Sequence, residues 1–226
     1  MSGPLKVLLL QGSAKAVKST SASLGDYILS KLPDEDVDKE TQHIAKAMRS
    51  DESWAKFVLA VDSADTVILS FPLYWDGLPS HVVRALERLR DHRMASPPSK
   101  PQRFVAIVNN GFPEPWHNEV SLRICRCFAD ESGFEWGGGL NVGGGAAIDG
   151  RPMEASGGMT VKLRKALDLA AESIGRREPV PKEIEEQVAH QLYPAWINLM
   201  FGGVAWRYEA RRKKTNGSLK ARPYEK

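Results

Sequence analysis

The sequence predicts an α/β fold: a doubly wound, five-stranded parallel sheet in the order 2-1-3-4-5, followed by a C-terminal helical extension. Three observations predict it. Runs of strand length at residues 5–10, 66–71 and 103–108 are apolar almost throughout, as in a sheet covered on both faces. Amphipathic stretches of helical period alternate with these runs. The second strand candidate, residues 36–44, carries Val37, Thr41 and Ile44 among charges, which suits an edge position.

The elements follow in order. The first strand stops at Gly12, and a short loop of hydroxyl residues leads into a helix that begins near Ser21, carries Leu24, Tyr27, Ile28 and Leu32 inward and closes at Pro33. After the polar strand, Asp51 is placed to cap a helix with Trp54, Phe57, Val58 and Val61 on its inner stripe. The third strand ends at Pro72, which cannot continue a central ladder. Ser80 then caps a helix that turns Val83, Leu86 and Leu89 inward. The fourth strand gives way to Asn109-Asn110-Gly111-Phe112, and the helix over 118–131 is expected to bury Val120, Ile124, Cys127 and Phe128. Residues 134–142 form the last strand. Two more helices carry Leu163, Ala166, Leu167, Ala170 and Ile174, then Ile184, Val188 and Leu192. At 226 residues one domain is expected, with residues 1–175 holding the sheet and 176–226 forming the extension and a basic tail.

The formal net charge of +3 is unevenly placed, because residues 207–226 hold eight Lys/Arg and two Asp/Glu, so the remainder is acidic. That reads as a solvated terminus, and no nucleic-acid function is expected. Cys125 and Cys127, two apart on a helix, do not face each other, so neither a disulfide between them nor a zinc site is expected; both are read as core. No secretory signal is visible and the expected location is cytoplasmic. Residues 192–206 form the longest apolar stretch, too short for the roughly 20 residues of a spanning helix.

In a doubly wound sheet the loops after the strands open on one edge, where ligands bind. The loop after the first strand offers hydroxyls at Ser13, Ser19, Thr20 and Ser21, the charge of Lys15 and a helix N-terminus, which is an anion site. Gly12 is read as letting the backbone approach that anion. The loop at 72–79 offers Tyr74 and Trp75, and the loop after the fourth strand offers Asn109, Asn110 and backbone N–H groups. The set suits a flat aromatic ligand bearing a terminal phosphate. No side-chain catalyst can be placed by spacing, His81 and His117 included, so chemistry has to come from a cofactor.

On these residues the sequence resembles the flavodoxin-like family of NADPH-dependent FMN reductases and NAD(P)H:quinone oxidoreductases. Gly12-Ser13-x-Lys15 with Ser19-Thr20-Ser21 resembles the family's phosphate loop, and Phe71-Pro72-Leu73-Tyr74-Trp75 before a helix resembles its P-x-Y loop. The resemblance covers roughly residues 5–150. It implies FMN held by Ser13, Lys15, Ser19, Ser21, Pro72, Leu73, Tyr74, Trp75, Asn110 and Gly111, NAD(P)H as co-substrate, and a quinone, flavin or similar small acceptor. Lysine at 15 replaces the usual arginine, keeping the charge and losing bidentate geometry. No iron–sulfur cluster is implied, since the compact cysteine cluster of that branch is absent. An electron carrier without NAD(P)H oxidation and a flavin-free interaction module are the alternatives from other classes. The resemblance also implies a homodimer. Leu192, Trp196, Leu199, Met200, Gly203 and Trp206 recur at nearly helical spacing and need a cover: a second copy, their own subunit, or an anionic lipid surface met by the adjacent cations.

Overall fold

The computed structural model describes residues 3–15 and 18–213, which divide into two compact units, Met1–Leu192 and Tyr193–Lys226. The first unit holds five strands, β1 (Leu5–Gln11), β2 (Val37–His43), β3 (Thr66–Pro72), β4 (Arg103–Asn109) and β5 (Glu135–Val142). All pair in parallel, in the order β2-β1-β3-β4-β5. The polar β2 is at an edge, as its composition requires.

Side-chain alternation splits each strand between two cores. Leu8 and Leu10, Val67 and Leu69, and Phe104, Ala106 and Val108 face one layer, built by α2 (Ile44–Ala47), α3 (Asp51–Ser63), α4 (Ser80–Ala95) and α5 (Glu119–Glu131). Val7 and Leu9, Ile68, Val105 and Ile107, and Leu140 and Val142 face the other, built by α1 (Thr20–Lys31) and α6 (Val161–Gly175). The Tyr27 hydroxyl donates to the Asp168 carboxylate at 2.8 Å and ties α1 to α6, and burial, with that bond second, raises the phenol's pKa.

The helix phases differ from expectation in places. α5 buries Ser121, Cys125, Phe128 and Ala129, whereas Val120 and Ile124 are 47% and 44% exposed and Cys127 faces outward. Small residues at 121, 125 and 129 let the helix approach the sheet, and that closeness outweighs burying the larger side chains. Cys125 alone of the two cysteines is core, and burial pushes its thiol pKa up. Likewise α4 buries Val82 and Ala85 with Leu86 and Leu89, leaving Val83 outside. Ser50 caps α3, its hydroxyl accepting from the Ser53 N–H at 3.1 Å, and Asp51 is the first helical residue. Pro79 stands at the cap of α4, so Ser80 begins the helix. Ile44, read as strand, starts the one-turn α2.

The outer edge of β5 is closed by the segment leading into α7 (Lys182–Val188), which the sequence places in the extension and which belongs to the first unit. The Val180 N–H donates to the Gly137 carbonyl at 2.8 Å, and the Glu185 carboxylate accepts from the Gly139 N–H at 2.5 Å. The second unit contains α8 (Ala195–Arg212). Within it the side chains of Leu199 and Trp206, and Gly203, lie outside what is described, as do residues 214–226 of the basic tail. Among the described residues no helix is long and apolar enough to cross a membrane.

Candidate functional site

The loops that follow β1, β3, β4 and β5 meet at the carboxyl edge of the sheet. Strand register brings them there: Gln11 pairs with Ser70 and Pro72 with Asn109, so the chain leaves adjacent strands at one level. Backbone bonds then tie the loops together. Gly12 N–H donates to Ser70 O, Leu73 N–H to Asn109 O, Asn110 N–H to Val142 O and Gly145 N–H to Asn110 O, at 2.8 to 3.2 Å.

Between them lies a cleft of about 150 Å³ lined by Ser13, Lys15, Lys18, Ser19, Thr20, Ser21, Pro72, Tyr74, Asn109, Asp149 and Gly150. Its floor is the first turn of α1. Ser19 is the N-cap, and its hydroxyl oxygen accepts from the Ala22 N–H at 3.1 Å. The helix N–H groups ahead of Ala22 have no carbonyl one turn back inside the helix, so they point at the cleft as donors. Ser13 is buried and its hydroxyl accepts from the Lys15 N–H at 3.3 Å, which turns the chain so that the exposed Lys15 reaches the rim with Lys18.

Two residues have duties other than those expected. The Ser21 hydroxyl is fully buried and donates to Asn109 Oδ1 at 2.9 Å, while Ser70 Oγ donates to the Ser21 carbonyl at 2.7 Å. Ser21 thus locks α1 to β3 and β4, and what it can offer an anion is its backbone N–H. A Cβ on Gly12 would sit 2.7 Å from Phe71 Cβ and 2.9 Å from Val82 Cγ2, so this glycine is demanded by packing against β3 and α4. His81 completes the anchorage, its Nε2–H donating to the Gly12 carbonyl at 2.9 Å.

Tyr74 and Gly77 exchange backbone hydrogen bonds at 2.9 and 3.1 Å around Trp75 and Asp76, whose φ angles are 49° and 57°. Positive φ at both central positions of a two-residue loop is the I′ turn, which Asn-Gly fills most readily. Here it carries tryptophan, with the indole fully exposed and Tyr74 at 42%. Both lie outside the core. Trp54, expected on the inner stripe of its helix, and Trp136 pack against the core half-buried. Phe112 and Trp116, 58% and 55% exposed, flank His117 at ring separations of 5.3 and 5.9 Å. Gly111 is exposed with nothing within 4 Å of where a side chain would be. Asn110 donates from Nδ2 to the Glu114 carbonyl at 3.0 Å, and its Oδ1 is buried without a partner.

Sequence reasoning missed Lys18, Asp149 and the placement of Gly150. Asp149 lies in a left-handed turn with Gly150, and a Cβ on Gly150 would come within 3.0 Å of the Lys18 carbonyl carbon, so the loop after β5 is packed onto the α1 cap. Thr20 Oγ1 fastens the same loop by donating to Gly145 O at 3.1 Å. The run of glycines at 143–145 marks a loop of close approach, but nothing in it says which segment it approaches.

No protein-family model matches this chain, and no curated protein matches it. Solved structures do. An NADH:FMN oxidoreductase, in its apo form, overlaps 84% of this chain and 96% of its own at a TM-score of 0.56 and 15% identity. A putative quinone reductase from Klebsiella pneumoniae overlaps 78% of this chain and 87% of its own, with a TM-score of 0.54 and 15% identity. An FMN-dependent NADH-azoreductase from Bacillus anthracis, solved with FMN, overlaps 75% and 99% at 0.52 and 15%. Five parallel strands in the order 2-1-3-4-5, helices on both faces and this overlap with known structures make the fold of this chain the flavodoxin-like one.

Proposed function

We propose that this chain binds one FMN non-covalently per subunit and carries electrons from NAD(P)H through it to a small acceptor such as a quinone or a free flavin. One observation carries the reading: a helix N-terminus with two lysines forms a phosphate-sized cleft, and the exposed aromatic turn reaches its lining through Tyr74, with Trp75 next in the chain. The three solved structures of like fold described above are named for FMN or quinone oxidoreductase chemistry, which supports the reading.

The residues fit the group. Ser13, Ser19, the first-turn N–H groups of α1, Lys15 and Lys18 match a phosphate monoester. Pro72, Leu73, Tyr74 and Trp75 supply a wall for a flat ring. Gly111 supplies a backbone N–H for its polar edge, and the partnerless Asn110 Oδ1 is an acceptor for a ring N–H once the loop gives way to admit it. When bound, FMN supplies the two-electron chemistry. The chain's own work is orientation, exclusion of water by the aromatic rim, and donation of N–H groups toward negative charge on the ring. Asp149, on the phosphate rim, opposes the anion and lowers affinity. The protein acts in the cytoplasm as a homodimer.

Anaerobic mixing of the purified, FMN-loaded protein with NADPH or NADH tests the reading. Rapid bleaching of the flavin absorbance is expected. Bound flavin that stays oxidised would make the protein an electron carrier served by a partner, and absence of flavin binding would make it an interaction module. The double variant Ser13→Ala/Lys15→Ala removes charge-assisted contacts worth about 1.5 to 3 kcal/mol each, so FMN affinity should fall more than tenfold. Unchanged affinity would remove the site assignment.

A further inference from the structure

We propose that α8 is an interfacial anchor that seats this protein on an anionic lipid surface. The helix is divided along its length. Residues 195–206 contain no charged side chain, and Asn198 is the single polar one among them. From Arg207 onward the composition reverses: Arg207, Arg211, Arg212 and Lys213 stand against Glu209, and the sequence beyond continues basic. The apolar part, at 1.5 Å per residue, is about 18 Å long, well short of a hydrocarbon core about 30 Å thick. It is too short to span, in agreement with the absence of a spanning helix among the described residues. Trp206, Arg207 and Tyr208 stand at the junction, the composition found where a segment passes from hydrocarbon to headgroups.

Among the described side chains of α8, four large ones are open to solvent. Trp196, Met200, Val204 and Tyr208 form one row at intervals of four residues, and they are 59%, 60%, 63% and 66% exposed. Charge separates by end and not by face, and the apolar end is the one joined to the first unit, so the helix suits lying along the interface, its apolar part at the headgroup–acyl boundary and its cations beside lipid phosphates. The same separation disfavours a second copy of α8 as the occupant. Parallel pairing would set four cations beside four cations, and antiparallel pairing would lay them against the apolar half of the partner. An anionic membrane surface answers both parts at once, attracting the basic end and burying the apolar one.

The test uses the full chain and co-sedimentation with vesicles of phosphatidylcholine, and of phosphatidylcholine mixed with phosphatidylglycerol. The protein should sediment with the mixed vesicles, far less with the neutral ones, and be released by raised salt. Arg211→Gln and Arg212→Gln should each lower partition about fivefold. Met200→Glu with Val204→Glu should abolish it on both lipids while leaving the thermal unfolding of the protein unchanged. Failure to sediment with mixed vesicles would overturn the proposal, and so would equal binding to both lipids that the charge variants do not alter. If Met200→Glu with Val204→Glu instead lowers the mass in light scattering of a protein that never binds vesicles, the face belongs to a second copy and the proposal falls.

Discussion

Trp75 is held in a backbone conformation that costs a bulky side chain of the order of 1 kcal/mol or more, and its indole contacts little in return, being fully exposed. A position that opposes stability in this way is better accounted for by ligand contact than by folding. Trp75→Asn keeps the I′ turn and relieves the strain, so it should raise stability by about 1 kcal/mol in denaturant unfolding while weakening FMN binding several-fold. If stability and affinity both stay unchanged, Trp75 has no part in the site. The aromatic turn was legible in the sequence because Pro72, Gly77 and Pro79 punctuate it. The duty of Ser21 was not, because the group that claims its hydroxyl, Asn109, is 88 residues away and reaches it only through strand register. Local spacing cannot separate a loop hydroxyl that faces a ligand from one that faces the sheet.

At the scale of elements, the closing of β5 by α7 depends on one carboxylate. Burial raises the pKa of Glu185, although its bond from the Gly139 N–H and nearby Arg126 and Lys182 oppose the rise. A carboxyl whose folded pKa lies above its unfolded value contributes stability below the unfolded value and loses it as pH rises through the folded one. Glu185→Gln keeps an acceptor for Gly139 and removes the buried charge. It should therefore melt at or above the wild-type temperature at pH 7, with the difference shrinking as the pH falls toward 4. Glu185→Ala strands the Gly139 N–H and should cost about 1 to 3 kcal/mol at either pH. A Gln variant less stable than wild type at pH 7 would show that the ionised form is the one the fold prefers. Strand order and helix count up to residue 175 were readable because continuous apolar runs and a polar edge strand leave few topologies, the one-turn α2 excepted. Helix phase was less so. The rows 120, 124, 127 and 121, 125, 129 on α5 both have helical spacing, and the smaller residues won the sheet because closeness of packing, which hydrophobicity does not encode, decided it.

For the whole molecule, the row that lost carries a consequence. Val120, Ile124 and Cys127 on α5 stay outside, and Ile124 and Cys127 with Val83 on α4 line a groove of about 220 Å³ together with Leu78, Leu86 and Phe128. Its far end carries both signs of charge, with Arg90 Nη1 lying 3.5 Å from Glu131 Oε2 and Glu87 nearby. A surface with both signs at its rim can meet its own copy about a two-fold axis, cation to carboxylate, which would make it the contact of the proposed homodimer. Two helices from each copy would bury apolar side chains that a monomer leaves wet, which gives a use to the exposed residues of α4 and α5 that core packing does not. Ile124→Glu with Val83→Glu places four like charges at the centre of that contact. Light scattering at micromolar concentration should then fall from twice the chain mass of 25.0 kDa to the single mass, with the circular dichroism of the fold retained. The same pair of substitutions should leave a dimer intact if the contact lies elsewhere, and a wild-type chain that scatters as a monomer would remove the dimer altogether.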